Sequence, residues 1–129
     1  MTSGHLLARS DKGRKAEALA AELLERKGLR IVARNWRRPE GELDLVADDN
    51  GICVFVEVRS RTGVQQGDPL ESITPRKRAR VIRSARLYLD SEAVQATGYR
   101  FDVIGVTFPA EAGEPALTHI ADAFRLDSA

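Results

Sequence analysis

The stretch Glu42-Leu43-Asp44-Leu45-Val46-Ala47-Asp48-Asp49-Asn50-Gly51-Ile52-Cys53-Val54-Phe55-Val56-Glu57-Val58-Arg59 decides the fold. Asn-Gly between two apolar runs is a strong hairpin signal, because a two-residue type I′ turn needs positive φ at both positions. Residues 42–47 and 52–59 are therefore read as antiparallel strands. A two-residue turn also fixes the register. Asp49 faces Ile52, and counting outward Leu45 faces Val56, Asp44 faces Glu57 and Glu42 faces Arg59. Leu43, Leu45, Val54, Val56 and Val58 are expected on one face, buried against a helix. Glu42, Asp44, Glu57 and Arg59 are expected on the other.

Directly opposed residues have Cβ atoms about 4.5–5.5 Å apart. Two carboxylates at that distance repel unless one takes up a proton or a cation sits between them. One reading is a solvated acidic face, with Glu42–Arg59 an ordinary cross-strand ion pair. The other is a divalent metal site. Aspartate is depleted in strands, so Asp44 set against Glu57 gains nothing without a cation. Oxygen-only ligands select Mg²⁺ or Mn²⁺, with the Val58 carbonyl as a further donor. Arg59 on the same face suits a phosphate. Together these groups suit phosphodiester hydrolysis. A bulge or one-residue slip would break the pairing.

Working outward, Ser10 or Asp11 caps a helix running to about Lys27. Ala16, Leu19, Ala20, Leu23 and Leu24 share one of its faces, and Gly28 stops it. Residues 29–36 alternate as a strand. The segment 37–41, with Pro39, is a turn. Residues 60–73, with Gly63, Gly67 and Pro69, read as a long loop. Thr74-Pro75 starts a second helix to about Leu89, with Val81, Ile82, Ala85, Tyr88 and Leu89 apolar. A short helical piece is expected over 92–96, then strands over 99–108 and 116–124. The order α-β-β-β-α-β-β predicts an α/β fold with a mixed sheet flanked by helices. Residues 1–9 read as a flexible arm before a single domain over 10–129.

The totals fit one soluble domain. In 129 residues, 30% are charged and 43% hydrophobic, and no apolar run is long enough to span a bilayer. One cysteine, Cys53, and two distant histidines argue against a disulfide framework and a zinc cluster. A cytoplasmic setting is expected, with no membrane partner. Charge is unevenly spread: residues 1–86 carry 18 basic and 12 acidic groups, whereas residues 87–129 carry 2 and 7. Between Arg59 and Arg86 there are 8 basic groups against Asp68 and Glu71. Such a segment suits a polyanion, and equally a solvated helix face. Arg37, Arg38, Arg61, Arg76, Arg80 and Arg83 are the candidate nucleic-acid contacts.

The spacing D-x(12)-E-x-[K/R] resembles the PD-(D/E)xK signature of restriction-endonuclease-like nucleases. A closer resemblance runs from Gly13 to Ile104. Glu17, Asn35 with Arg37, Gly41-Glu42-Leu43-Asp44-Leu45, Val54 to Arg61, Gly67-Asp68-Pro69, Lys77 and Arg100-Phe101-Asp102-Val103 look like the YraN family, itself similar to archaeal Holliday-junction resolvases. The resemblance implies a restriction-endonuclease-like fold and a metal-dependent nuclease acting on DNA, branched DNA included. It implies metal-binding roles for Asp44 and Glu57, and a supporting carboxylate in Glu17. It also implies a homodimer, since a four-way junction offers two symmetric strands. Arg59 stands where the signature has lysine. Arginine stays protonated and cannot act as a general base. Lys77 either stands in for that lysine or is a solvated helix residue.

Other residues have plainer readings. Cys53 is an apolar filler and His119 is structural. Trp36 either stacks on a base or packs at the sheet edge. Asp102, in an apolar strand, needs a buried partner, either Arg100 or a helix N-terminus, and is not assigned to the metal. Three functions compete: the nuclease, a non-catalytic nucleic-acid-binding protein, and a protein-interaction module using the acidic C-terminal part.

Overall fold

The computed structural model describes residues 11–63 and 68–125. The expected arm over 1–9 lies outside them. The Asn50-Gly51 turn forms with φ of 52° and 95°, both positive as its type requires. It joins β2 (Gly41–Asp49) to β3 (Ile52–Thr62). Their ladder runs from Asp49–Ile52 to Leu45–Val56 in the expected register. Ahead of them, α1 (Asp11–Arg26) ends where Gly28, at φ 95°, lets Gly28 N–H reach Glu25 O and Leu29 N–H reach Leu24 O. This pair of hydrogen bonds is the Schellman stop that a glycine in the left-handed region permits. β1 (Arg30–Arg38) then pairs antiparallel with β2.

The second helix, α2 (Pro75–Ser91), starts as expected, with Thr74 Oγ1 accepting from Lys77 N–H at 3.2 Å. It crosses over to β4 (Gly98–Phe108), which lies parallel to β3; β5 (Ala116–Phe124) returns antiparallel. The five strands lie in the order β1-β2-β3-β4-β5.

Three expectations are corrected. β3 does not stop at Arg59, because its parallel pairing with β4 continues to Thr62–Phe108. Inside the expected loop a 3₁₀ turn forms over Pro69–Ser72, capped by Asp68 Oδ1 accepting from Leu70 N–H at 2.8 Å. No helix forms over 92–96. Instead α2 closes with Val94 N–H on Leu89 O, and Ala93 takes φ 49°. The stop is an alanine in the left-handed region, so it carries no glycine or asparagine signal.

Burial of the hairpin also differs from expectation. The face expected to be polar carries Val46, Cys53 and Phe55, which pack with Val81, Ile82, Ala85 and Tyr88 of α2. Leu45, Ala47, Val54 and Val56 pack with Ala16, Ala20, Ala21 and Leu24 of α1 on the opposite face. The parallel crossover makes β3 a central strand covered on both sides, so simple in-out alternation fails. Leu43 joins the α2 side rather than that of Leu45. Its partner on β1 is Trp36, while Leu45 pairs with Arg34. Between those two pairs Asn35 sits at φ 51°, and the side chains turn over there. Among the described residues no helix is long and apolar enough to cross a membrane.

Candidate functional site

The turnover at residues 43–45 leaves Asp44 at a fork. Among the described residues the β2–β3 ladder goes no further than Leu45–Val56. Asp44 is therefore not backbone-paired with Glu57. Its carboxylate instead reaches across the opening, and Oδ2 accepts from Val58 N–H at 2.9 Å. It also hydrogen-bonds the side chain of Glu57. The expected meeting of the two carboxyls thus occurs by side chains at the end of the ladder.

Glu57 is largely withdrawn from water, its side chain 19% exposed. Burial foremost, then the charge of Asp44, pushes its pKa up to about 8. The Asp44 hydrogen bond and the charge of Glu42 add to the rise, and Arg59 opposes it. At neutral pH the pair therefore holds one proton between two carboxyls, the response expected of opposed acids without a cation.

Arg59 Nη1 stands 3.9 Å from Glu57 Oε2, and Arg59 Nε donates to Ser72 Oγ at 3.1 Å. Ser72 Oγ donates in turn to Pro69 O at 2.7 Å. The Asp68-Pro69 motif so acquires a structural role: its 3₁₀ turn fixes the serine that fixes Arg59. Pro69 lies against Gly105 of β4, where an added Cβ would overlap the proline ring.

Two adjoining cavities open on the fork. The larger, about 330 Å³, is lined by Gly13, Ala16 and Glu17 of α1 and by Val58, Arg59 and Ser60 of β3. The smaller, about 130 Å³, is lined by Glu40, Gly41, Val81, Arg83 and Ser84. Glu42, Asp44, Glu57 and Arg80 border both. Asp44, Glu57, Val58, Arg59, Glu17, Arg80 and Arg83 thus converge on one cleft between the two helices.

The remaining candidates lie elsewhere. Lys77 Nζ points to Ser72 O at 3.4 Å, beside the Arg59 anchor, and does not line the cleft. The expected Glu42–Arg59 pair is not formed. Glu42 pairs with Arg37, directly opposite on β1, because β2 and β3 have parted by that point. Arg38 bonds Glu92 at 3.0 Å and lies 4.7 Å over the ring of Trp36. Trp36 is buried edge-on to Tyr88 at 5.3 Å, so it packs the sheet edge and presents no stacking face. Arg61 lines a separate cavity with Thr107 and Pro109, and Arg76 is exposed on the first turn of α2. Cys53 is a buried filler, its thiol pushed up to about 11 by burial and then Asp48.

Sequence reading missed Ser84. It is buried, and its Oγ accepts from Glu42 N–H at 3.2 Å, tying α2 to the start of β2. Gly41 is the only residue type with room there, since a Cβ would strike that hydroxyl. A serine among the apolar positions of α2 was the available signal.

Asp102 has the buried partners its position demands. It accepts from Arg100 Nε at 3.0 Å and Asp122 N–H at 3.0 Å, and meets His119 Nε2 at 2.8 Å. Arg100 Nη1 also reaches Asp49 at 2.9 Å. This network clamps β5 to the sheet, away from the cleft.

Two carboxylates fit a hard cation that keeps waters and takes substrate oxygens; they do not fit a closed zinc site. Among the described residues no group of three or more His, Cys, Asp or Glu is placed to hold an ion. Any cation here would rest on Asp44, Glu57, the Val58 carbonyl and the substrate.

Residues 16–106 match the model of a family described as uncharacterised protein family UPF0102. The chain belongs to this family. It is 43% identical to a UPF0102 protein of Nitrosococcus oceani over 119 residues, covering 92% of this chain and 94% of that one. It is 46% identical to one of Pelotomaculum thermopropionicum over 117 residues (91% and 98%), and 49% identical to one of Pseudomonas aeruginosa over 115 residues (88% and 92%). The UPF0102 match takes in Glu17, Asp44, Glu57, Arg59 and Arg80 and stops before β5.

Proposed function

We propose that this protein is a metal-dependent endonuclease that hydrolyses DNA phosphodiesters, with branched or structured DNA as the preferred substrate. The fold is then a restriction-endonuclease-like one, related to archaeal Holliday-junction resolvases. The observation that carries the reading is the Asp44–Glu57 pair. It is two acids held together on rigid strands at the floor of a cleft, one of them still protonated at pH 7. Such an arrangement costs stability unless a cation replaces the proton.

Asp44, Glu57 and the Val58 carbonyl would hold Mg²⁺ or Mn²⁺, which when bound supplies Lewis-acid activation of water and of the phosphoryl group. Glu57 must release its proton to do so. The Val58 N–H holds Asp44 in one orientation, which limits reorganisation on binding. Glu17 borders the larger cavity, where it would orient the attacking water. Arg59 offsets charge at the carboxylates. A DNA substrate places the protein in the cytoplasm and favours a homodimer on symmetric junctions; sedimentation as a monomer on and off such DNA would remove the dimer.

The test is incubation with labelled four-way-junction, duplex and single-stranded DNA in Mg²⁺ or Mn²⁺. Cleavage is expected, and is expected to vanish in Asp44→Ala and Glu57→Ala. Absent cleavage by wild type, or cleavage indifferent to both substitutions, removes the proposal.

A second reading is a nucleic-acid-binding protein that has lost hydrolysis. The engagement of Arg59 with Ser72 and Glu57, in place of a free lysine, favours it. It expects salt-sensitive DNA binding without cleavage. Cleavage restored or raised in Arg59→Lys would reject it.

A further inference from the structure

We propose that Arg80 of α2, not Arg59, is the cation that grips the substrate phosphate in this cleft. The inference rests on the nuclease reading and assigns that site its anion-binding residue.

Arg59 is the obvious candidate from its place in the motif, but its guanidinium is engaged. One edge is held by Ser72 and another faces Glu57. An arginine so placed compensates the carboxylates and has little of its fork left for a ligand. Arg80 is different. It is exposed, and it borders both cavities with Asp44, Glu57 and Glu42. Among the described residues it makes no ion pair, although Glu42, Asp44 and Glu57 line both cavities with it and Glu40 lines the smaller. Its backbone is fixed, because Val81, Ile82, Ala85 and Tyr88 bury the opposite face of α2 and Thr74 caps the helix. A free guanidinium on a rigid helix, at the boundary of two cavities, matches the bidentate geometry of a phosphodiester's non-bridging oxygens.

Arg76, Arg80 and Arg83 fall at i, i+4 and i+7, so they form one ridge along α2. Arg83 borders the smaller cavity beside Arg80. The strand's neighbouring phosphates would follow this ridge, with the scissile one held at Arg80.

Binding and cleavage are measured separately. Affinity for a fluorescein-labelled four-way junction is followed by anisotropy in EDTA across a salt series, and cleavage in Mn²⁺. Arg80→Ala should make the slope of log affinity against log salt shallower by about 0.9, the loss of one phosphate contact. Its cleavage should fall about 100-fold. Arg80→Lys should recover most of the slope. Arg30→Ala, the same charge change at the start of β1, where Arg30 stands 3.7 Å from Asp48 and lines neither cavity, should leave cleavage unchanged. An unchanged slope in Arg80→Ala overturns the proposal, whatever the cleavage rate. If wild type neither binds nor cleaves, the nuclease reading fails and this proposal falls with it. If wild type binds without cleaving, hydrolysis alone is lost and the slope still decides.

Discussion

Glu57→Gln should stabilise the metal-free protein. In the unfolded chain a glutamate ionises near pH 4.5; in the folded chain Glu57 keeps its proton to about pH 8. Folding therefore takes up a proton anywhere between those values. The sign follows: stability is unaffected by Glu57 below about pH 4.5 and falls as pH rises toward 8, at up to about 1.36 kcal/mol per pH unit. By pH 7 the accumulated cost is about 3 kcal/mol, and above pH 8 it levels near 5 kcal/mol. A glutamine amide mimics the protonated acid, donating to Asp44 without ionising. Urea denaturation in EDTA at a series of pH values measures the difference. The two proteins should be equally stable near pH 4, and at pH 7 the variant's midpoint should lie about 1.5 M higher. Groups that titrate alike in both proteins cancel. Parallel stability curves for wild type and variant from pH 5 to 8 would refute the claim that burial and Asp44 hold the proton on Glu57.

Four further outcomes are expected. Asp102→Ala should cost about 3–5 kcal/mol by urea denaturation, because it removes the buried acceptor shared by Arg100 Nε, His119 Nε2 and the Asp122 N–H and leaves its place empty. Burial pushes the Asp102 pKa up most strongly, yet bonds from His119, Arg100 and the Asp122 N–H leave it below the ordinary aspartate value. The stabilising charge of Asp102 is therefore present above that ordinary value and lost as pH falls through the lower folded one. The penalty of Asp102→Asn should shrink only in strong acid. Gly105→Ala should cost about 1–3 kcal/mol by displacing Pro69, and should also slow cleavage by loosening Ser72 from Arg59. Thr74→Ala should cost about 1 kcal/mol in thermal or urea unfolding, through the lost cap.

The hairpin was legible because Asn50-Gly51 fixes a register by local chemistry, and that register holds over every backbone pair the strands form. Gly28 and Thr74-Pro75 marked helix ends for the same reason. What the chain did not display was tertiary. Parallel pairing with β4 lengthens β3 and buries both hairpin faces, a non-local effect with no pattern in the strand itself. The left-handed residues Asn35 and Ala93 reverse a strand face and end a helix without a glycine to announce either. At the site, Asp44, Glu57 and Arg59 came from counting outward from the turn, and Glu17 came from the family resemblance. The fork that frees Glu42 from Arg59 was hidden, as was the Ser72 anchor, since both depend on where two strands part and a 3₁₀ turn docks.

Calorimetric titration of Mn²⁺ into the wild-type chain at pH 8, with Asp44→Asn as control, tests the paired carboxylates most directly. One ion per chain is expected, with more proton release when the titration is repeated at pH 7, where Glu57 still carries its hydrogen, and binding should be lost in the control. No heat with wild type, or equal binding by Asp44→Asn, would contradict a cation site at this fork.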